Sequence, residues 1–197
     1  MAFAEFQVPS IVHAKTAHDD RPRGSHHTNR PHARQRERAV TLLEYGDYQC
    51  PRRGMARPVI KARQEHFAAD LRFVFRHFAL ADLHPFAEPA SETAQLGGQY
   101  GRFWPMHDGL YQNQEVLGVP LFVAPSEALG VTKQKLIDAL KQQNFKAKIE
   151  TDVMGGVRSG VSGTPALFID GNRYRGAYDF NALAAAVRGY READAHL

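Results

Sequence analysis

Val40-Thr41-Leu42-Leu43-Glu44-Tyr45-Gly46-Asp47-Tyr48-Gln49-Cys50-Pro51 reads from left to right as a buried strand, a polar turn and the opening of a helix. The apolar run from Val40 to Tyr45, ended by Gly46-Asp47, has the length of a strand. Cys50 closes the turn. Pro51 suits the first helical position, where its missing N–H costs nothing. Met55, Val59, Ile60 and Phe67 recur at roughly helical spacing over Arg52 to Phe67, with a kink expected at Pro58. Leu71 to Phe78 alternates and is rich in aromatics, a second strand. Strand, helix, strand in that order implies a parallel pair with a right-handed crossover.

Further along, helices are expected over His84 to Tyr100, Phe103 to Asn113, Thr132 to Gln143 with Thr132 as cap, and Phe145 to Arg158. Residues 114–131 carry Pro120 and Pro125 and read as less regular. Gly160 to Pro165 breaks the helical pattern. Ala166 to Ile169, the turn Asp170-Gly171-Asn172 and Arg173 to Arg175 then read as a hairpin. Asp179 can cap a last helix, Phe180 to Tyr190.

The fold class that follows is α/β. A discontinuous body over residues 40–81 and 160–191 builds a mixed sheet, and residues 82–159 form a helical insertion. Residues 1–39 differ from this body. They carry a net charge of +3 out of the chain's +4, and six Arg and four His fall between His18 and Arg38. With no aliphatic side chain larger than Ala33 in that stretch, it is expected to be an exposed basic arm. It lacks interleaved aromatics, so nucleic acid is not an expected partner. Its histidines have no ligand spacing, so no metal is expected. No apolar run is long enough to span a bilayer, and no secretory signal is seen at Met1 to Lys15. A single cysteine among 197 residues excludes an internal disulfide. A cytoplasmic location is the expectation.

Two features carry candidate chemistry. Cys50 sits where a helix N-terminus presents unpaired N–H groups and a positive dipole end, which favour thiolate over thiol. Arg52 and Arg53 follow in the first turn and add positive charge. The competing reading is a small buried hydrophobe, against which stand the polar neighbours Asp47, Gln49, Arg52 and Arg53. Thr164-Pro165 lies between a glycine-containing turn and an apolar strand, open to a cis bond or to a strand-initiating trans-proline. Glu44, Asp47 and His107 are conceivable proton carriers, but a structural role is expected for each.

Glu44 to Pro51 with Gly54 and Pro58, Arg72 to Phe78, His84-Pro85, Gly101 to His107, and Gly160 to Gly171 together resemble the DsbA-like thioredoxin-fold proteins. The resemblance covers about residues 40–190. It implies a thioredoxin-like fold interrupted by a helical domain, and thiol–disulfide exchange at the helix N-terminus. It implies that Cys50 is the nucleophile, Pro165 the cis-proline, and Thr164 the residue whose backbone faces Cys50 and the partner. One departure matters. Where the family has Cys-X-X-Cys, this chain has Cys50-Pro51-Arg52-Arg53. Without a second thiol, a mixed disulfide must be resolved from outside, for instance by glutathione as co-substrate.

The leading expectation is a monothiol oxidoreductase acting on protein or low-molecular-weight thiols and disulfides, with no tightly bound cofactor. Arg52 and Arg53, with Thr164, could hold a glutathione carboxylate, Arg53 could stabilise a sulfenate at Cys50, or the arginines face solvent in a degenerate site. The alternatives are a redox-inactive binding module and a glutathione-dependent transferase or isomerase. A homodimer joined through Cys50 is also open.

Overall fold

The computed structural model describes residues 39–51 and 71–194. The basic arm over residues 1–38, the helix expected over Arg52 to Phe67 with its Pro58 kink, and both Arg52 and Arg53 lie outside the described residues.

Strand β1 (Val40–Gly46) runs through the middle of a four-stranded sheet. It pairs in parallel with β2 (Leu71–His77) on one side and antiparallel with β3 (Ala166–Ile169) on the other. A short β4 (Asn172–Arg173) closes the hairpin, giving the order β2-β1-β3-β4. The hairpin turn needs left-handed backbone at both central positions, supplied by Asp170 (φ 46) and Gly171 (φ 82). The Asp170 carboxylate accepts the Thr41 N–H at 2.8 Å and ties the turn to β1.

β1 is covered on both faces, which is why its sequence is a continuous apolar run with no clean alternation. Val40 and Leu42 join Phe73, Phe75, Leu167 and Ile169 in the larger core. Leu43 and Tyr45 join Phe78, Val161 and Phe168 in a smaller one, where Tyr45 meets Phe78 and Phe168 edge-on at 6.2 and 5.8 Å.

Between β2 and β3 the chain forms α1 (Ala87–Gln99), α2 (Phe103–Gln112), a 3-10 turn (Gln114–Val116), α3 (Val119–Ala128), α4 (Lys133–Gln142) and α5 (Lys146–Arg158). These helices supply Met106, Leu110, Phe122 and Leu136 to the larger core, all fully buried. Residues 119–128 are more regular than the sequence suggested. Pro120 stands in the first turn of α3, where no N–H is needed, and Pro125 is tolerated inside the helix. Gly97 lets α1 approach α2, because a Cβ there would lie 3.0 Å from the Met106 Cβ. Thr132 caps α4 by accepting the Lys135 N–H. The last helix, α6 (Phe180–Asp194), lays Leu183, Ala184 and Val187 on the larger core and is capped by Asp179, whose carboxylate accepts the Ala182 N–H at 2.9 Å. None of the described helices is long and apolar enough to cross a membrane.

Candidate active site

β1 ends at Gly46, and the next four residues turn sharply, closed by the Cys50 N–H donating to the Asp47 carbonyl at 3.2 Å. Asp47 is buried and organises that turn. One carboxylate oxygen accepts the Gln49 N–H at 2.7 Å. The other accepts the Leu80 N–H at 3.0 Å and the His84 Nδ1–H at 2.7 Å. Of these three donors, the first braces the turn itself and the other two bind it to the segment after β2. Two glutamines extend the connection. Gln49 Oε1 accepts the Phe86 N–H at 2.7 Å, and Gln114 Nε2 donates to the Cys50 carbonyl.

The half-buried Cys50 thiol points at β3. Its Sγ–H donates to the Thr164 carbonyl at 3.3 Å. The Thr164–Pro165 peptide bond is cis. The Pro165 carbonyl in turn accepts from the Tyr178 hydroxyl at 3.3 Å. Cys50, Thr164 and Pro165, 114 residues apart from first to second, thus stand together, while Arg52 and Arg53 are outside the described residues.

Behind the turn lies a buried polar and aromatic layer. Tyr48 is fully buried, its hydroxyl 3.0 Å from His107 Nδ1 and its ring 4.8 Å from that of Tyr111. Burial pushes the Glu44 carboxyl up from 4.5 to about 8, and its Oε1 has no hydrogen-bond partner among the described residues. Burial also pushes the Tyr48 hydroxyl well up, helped by the charges of Asp108 and Glu44. Tyr111 is raised by burial first, then by Glu44, Tyr48, Asp47 and Cys50, so its hydroxyl shares a neighbourhood with the turn. On β2, burial lowers His77 from 6.5 to about 3, with the Lys148 ammonium adding to the effect. Lys148 pairs with Asp152 at 2.6 Å, and the Asp152 carboxylate accepts the His77 N–H at 3.3 Å.

Asp47 has the turn-building role expected of it, and His107 packs in the aromatic layer. Sequence reasoning singled out His84 only as part of a family-like segment, without a role, and missed Tyr111, Gln114 and Tyr178. No motif announces the last three, because each reaches the site through contacts with residues outside its own segment, as Gln114 does with Cys50 across 64 positions.

A family model described as thioredoxin matches residues 32–188. Among curated proteins, the chain is 39% identical over 160 residues to Na(+)/H(+) antiporter NhaA 1 of Salinispora arenicola, covering 81% of this chain and 24% of that protein. It is 32% identical over 152 residues to Na(+)/H(+) antiporter NhaA of Herminiimonas arsenicoxydans, covering 77% and 24%. The chain therefore spans about a quarter of the length of the curated relatives it matches. Among solved structures, oxidised BdbD from Bacillus subtilis superposes with a TM-score of 0.70 at 17% identity, over 78% of this chain and 88% of that one. A thioredoxin-like oxidoreductase from Silicibacter pomeroyi gives 0.64 at 21% identity, over 79% and 88%.

Proposed function

The chain belongs to the thioredoxin family, and from that premise we propose that it is a DsbA-like thiol–disulfide oxidoreductase working with one thiol. The observation that carries the reading is the Cys50 sulfur, half-exposed and 3.3 Å from the Thr164 carbonyl beside cis-Pro165. An extended partner laid along the Thr164 backbone would bring its own sulfur to Cys50. The Cys50 thiolate attacks one sulfur of the partner disulfide. That S–S bond breaks, the departing thiolate takes a proton from water, and a mixed disulfide forms. A small external thiol, such as glutathione, then attacks the partner's sulfur in the mixed disulfide. Cys50 leaves as thiolate and the two outside sulfurs stay joined. Arg52 and Arg53 are the groups this reading assigns to a carboxylate of that thiol. Such a cycle suits a reducing compartment like the cytoplasm, where small thiols are abundant.

The experiment is intact-mass spectrometry after exposure to oxidised glutathione. A single glutathione adduct should form, disappear on adding reduced glutathione, and be absent in Cys50→Ser. No adduct on the folded wild-type chain refutes the reading.

A second reading rests on the relatives' names. Their matching segment makes up about a quarter of proteins described as Na(+)/H(+) antiporters. On this reading the chain exchanges thiols with an antiporter of that kind in the membrane. Mixing it with vesicles that carry such an antiporter should trap a Cys50-dependent mixed disulfide, and recovery of the free chain alone counts against it.

A further inference from the structure

We propose that Cys50 also reduces hydroperoxides, and that Gln114 and Thr164 cradle the sulfenic acid this leaves on its sulfur. Each of these two residues already touches Cys50 with one polar atom. Gln114 Nε2 donates to the Cys50 carbonyl, and the Thr164 carbonyl accepts from Cys50 Sγ. Both are more than nine-tenths buried, at 7% and 6% exposure. Yet the second polar atom of each, Gln114 Oε1 and Thr164 Oγ1, has no partner among the described residues. Buried polar atoms are nearly always paired, and leaving one unpaired is costly. Here both unpaired atoms belong to residues that contact Cys50.

Their chemistry is complementary to an oxygen carried by that sulfur. The S–O–H group donates one hydrogen bond and accepts others. An amide oxygen can take its proton, and a threonine hydroxyl can donate to its oxygen. A bare thiol satisfies neither atom well, because S–H is a weak donor and sulfur a weak acceptor. The cysteine count adds an independent argument. In a dithiol site a sulfenic acid condenses with the neighbouring thiol. Cys50 is the only cysteine in the chain, so its sulfenic acid has no internal thiol to meet.

The Cys50 thiolate attacks the outer oxygen of a hydroperoxide. The O–O bond breaks, sulfur loses two electrons, the hydroxyl group stays on sulfur, and the alkoxide or hydroxide leaves and takes a proton from water. A small thiol then displaces the hydroxyl as water and forms a mixed disulfide. A second thiol releases Cys50 and carries away the outside disulfide. The proposal shares with the exchange reading the nucleophilic Cys50, its neighbour Thr164 and resolution by a small thiol.

The test uses the reduced full chain, hydrogen peroxide and dimedone trapping read by intact mass. Wild type should give one dimedone adduct that Cys50→Ser lacks. Gln114→Leu and Thr164→Val should each shorten the sulfenic acid's lifetime about tenfold, the equivalent of a hydrogen bond worth about 1.4 kcal/mol, and shift the product to sulfinic acid. Thr164→Ser, which keeps the hydroxyl, should retain most of the lifetime. A wild-type chain that gives no dimedone adduct, while oxidised glutathione still labels Cys50, overturns this proposal and spares the exchange reading. Unchanged lifetimes in both variants overturn the cradle. Should a variant lose the native circular dichroism spectrum, peroxide consumption with glutathione decides. Turnover by wild type and not by Cys50→Ser supports the proposal, and equal rates overturn it.

Discussion

Replacing Glu44 by Gln isolates a single buried proton. Glu44 sits at the centre of β1, opposite Phe75 on one side and Leu167 on the other, and is 1% exposed. Burial lifts its carboxyl from 4.5 to about 8, so between these values the folded chain holds a proton that the unfolded chain has released. Stability from this group is full below the unfolded value and falls as pH rises towards 8, at about 1.4 kcal/mol per pH unit. Between about pH 5 and pH 7 that amounts to a loss of about 2–3 kcal/mol. His77 works in the opposite direction. Its folded value is lowered from 6.5 to about 3, so its contribution is full above the unfolded value and is lost as pH falls. Over the same interval it adds about 2 kcal/mol on going up in pH, and the two nearly cancel in the wild type. The amide in Glu44→Gln mimics the neutral acid and cannot titrate. Its advantage over wild type should therefore grow by about 2–3 kcal/mol from about pH 5 to pH 7, all other groups cancelling in the difference. Urea titrations followed by the fluorescence of Trp104, the only tryptophan, measure this directly. Parallel stability curves for the two proteins, separated by the same amount at both pH values, would show that Glu44 is charged in the fold and refute the argument.

Three other substitutions test the turn that carries Cys50. Asp47→Ala strands the N–H groups of Gln49 and Leu80 together with the His84 imidazole. A loss of about 3 kcal/mol is expected in urea unfolding, with a smaller loss for Asp47→Asn, which keeps one acceptor oxygen. Gly46→Ala would place a Cβ against the Phe75 ring and 2.6 Å from the Tyr111 hydroxyl. It should cost about 1–3 kcal/mol in thermal denaturation, and a stability equal to wild type would mean that the two rings are free to move aside. Tyr48→Phe keeps the ring packing on Phe75 and Tyr111 and removes only the hydrogen bond to His107. About 1 kcal/mol is the expected loss, and a loss as large as a core truncation would mean that the ring itself had shifted.

The strands were legible because each carries a local signature. Val40 to Gly46 is continuously apolar since it is covered on both faces, and Leu71 to His77 alternates since Arg72 and Arg76 face solvent while their neighbours are buried. The hairpin was announced by Asp170-Gly171, the helix starts by Thr132 and Asp179. Where reading failed, longer-range packing outweighed local preference. Pro120 and Pro125 argue against regular structure over 114–131, but the apolar side chains there, Phe122 above all, have a core to enter. The hairpin's second strand is also shorter than expected, ending at Arg173, although the Tyr174 N–H still donates to the Leu167 carbonyl at 2.8 Å while its hydroxyl bonds the Ala177 carbonyl.

The site divides in the same way. Cys50 and Thr164-Pro165 could be singled out because a cysteine before a proline and a proline before an apolar strand are unusual arrangements within a few residues of sequence. Their approach to 3.3 Å follows from β3 pairing antiparallel with β1, which sets the entry to β3 beside the exit from β1. The groups that surround them could not be found this way. Gln114 belongs to a stretch whose prolines hid its regularity, and Glu44 looks like one polar interruption of an apolar strand. Only the three-dimensional arrangement shows that, among the described residues, Glu44 has no partner for Oε1, or that Gln114 turns one end of its amide to Cys50 and leaves the other unpaired. An ordinary surface glutamine would have water at both ends, and a core position would exclude the amide altogether. A half-satisfied amide beside a half-exposed thiol leaves a buried polar atom that requires a partner, which the proposal supplies as an oxygen on the sulfur. That requirement separates a working site from a degenerate one: if Gln114→Leu raises stability and leaves the chemistry of Cys50 unaltered, the amide serves no visitor and the cradle is an accident of packing.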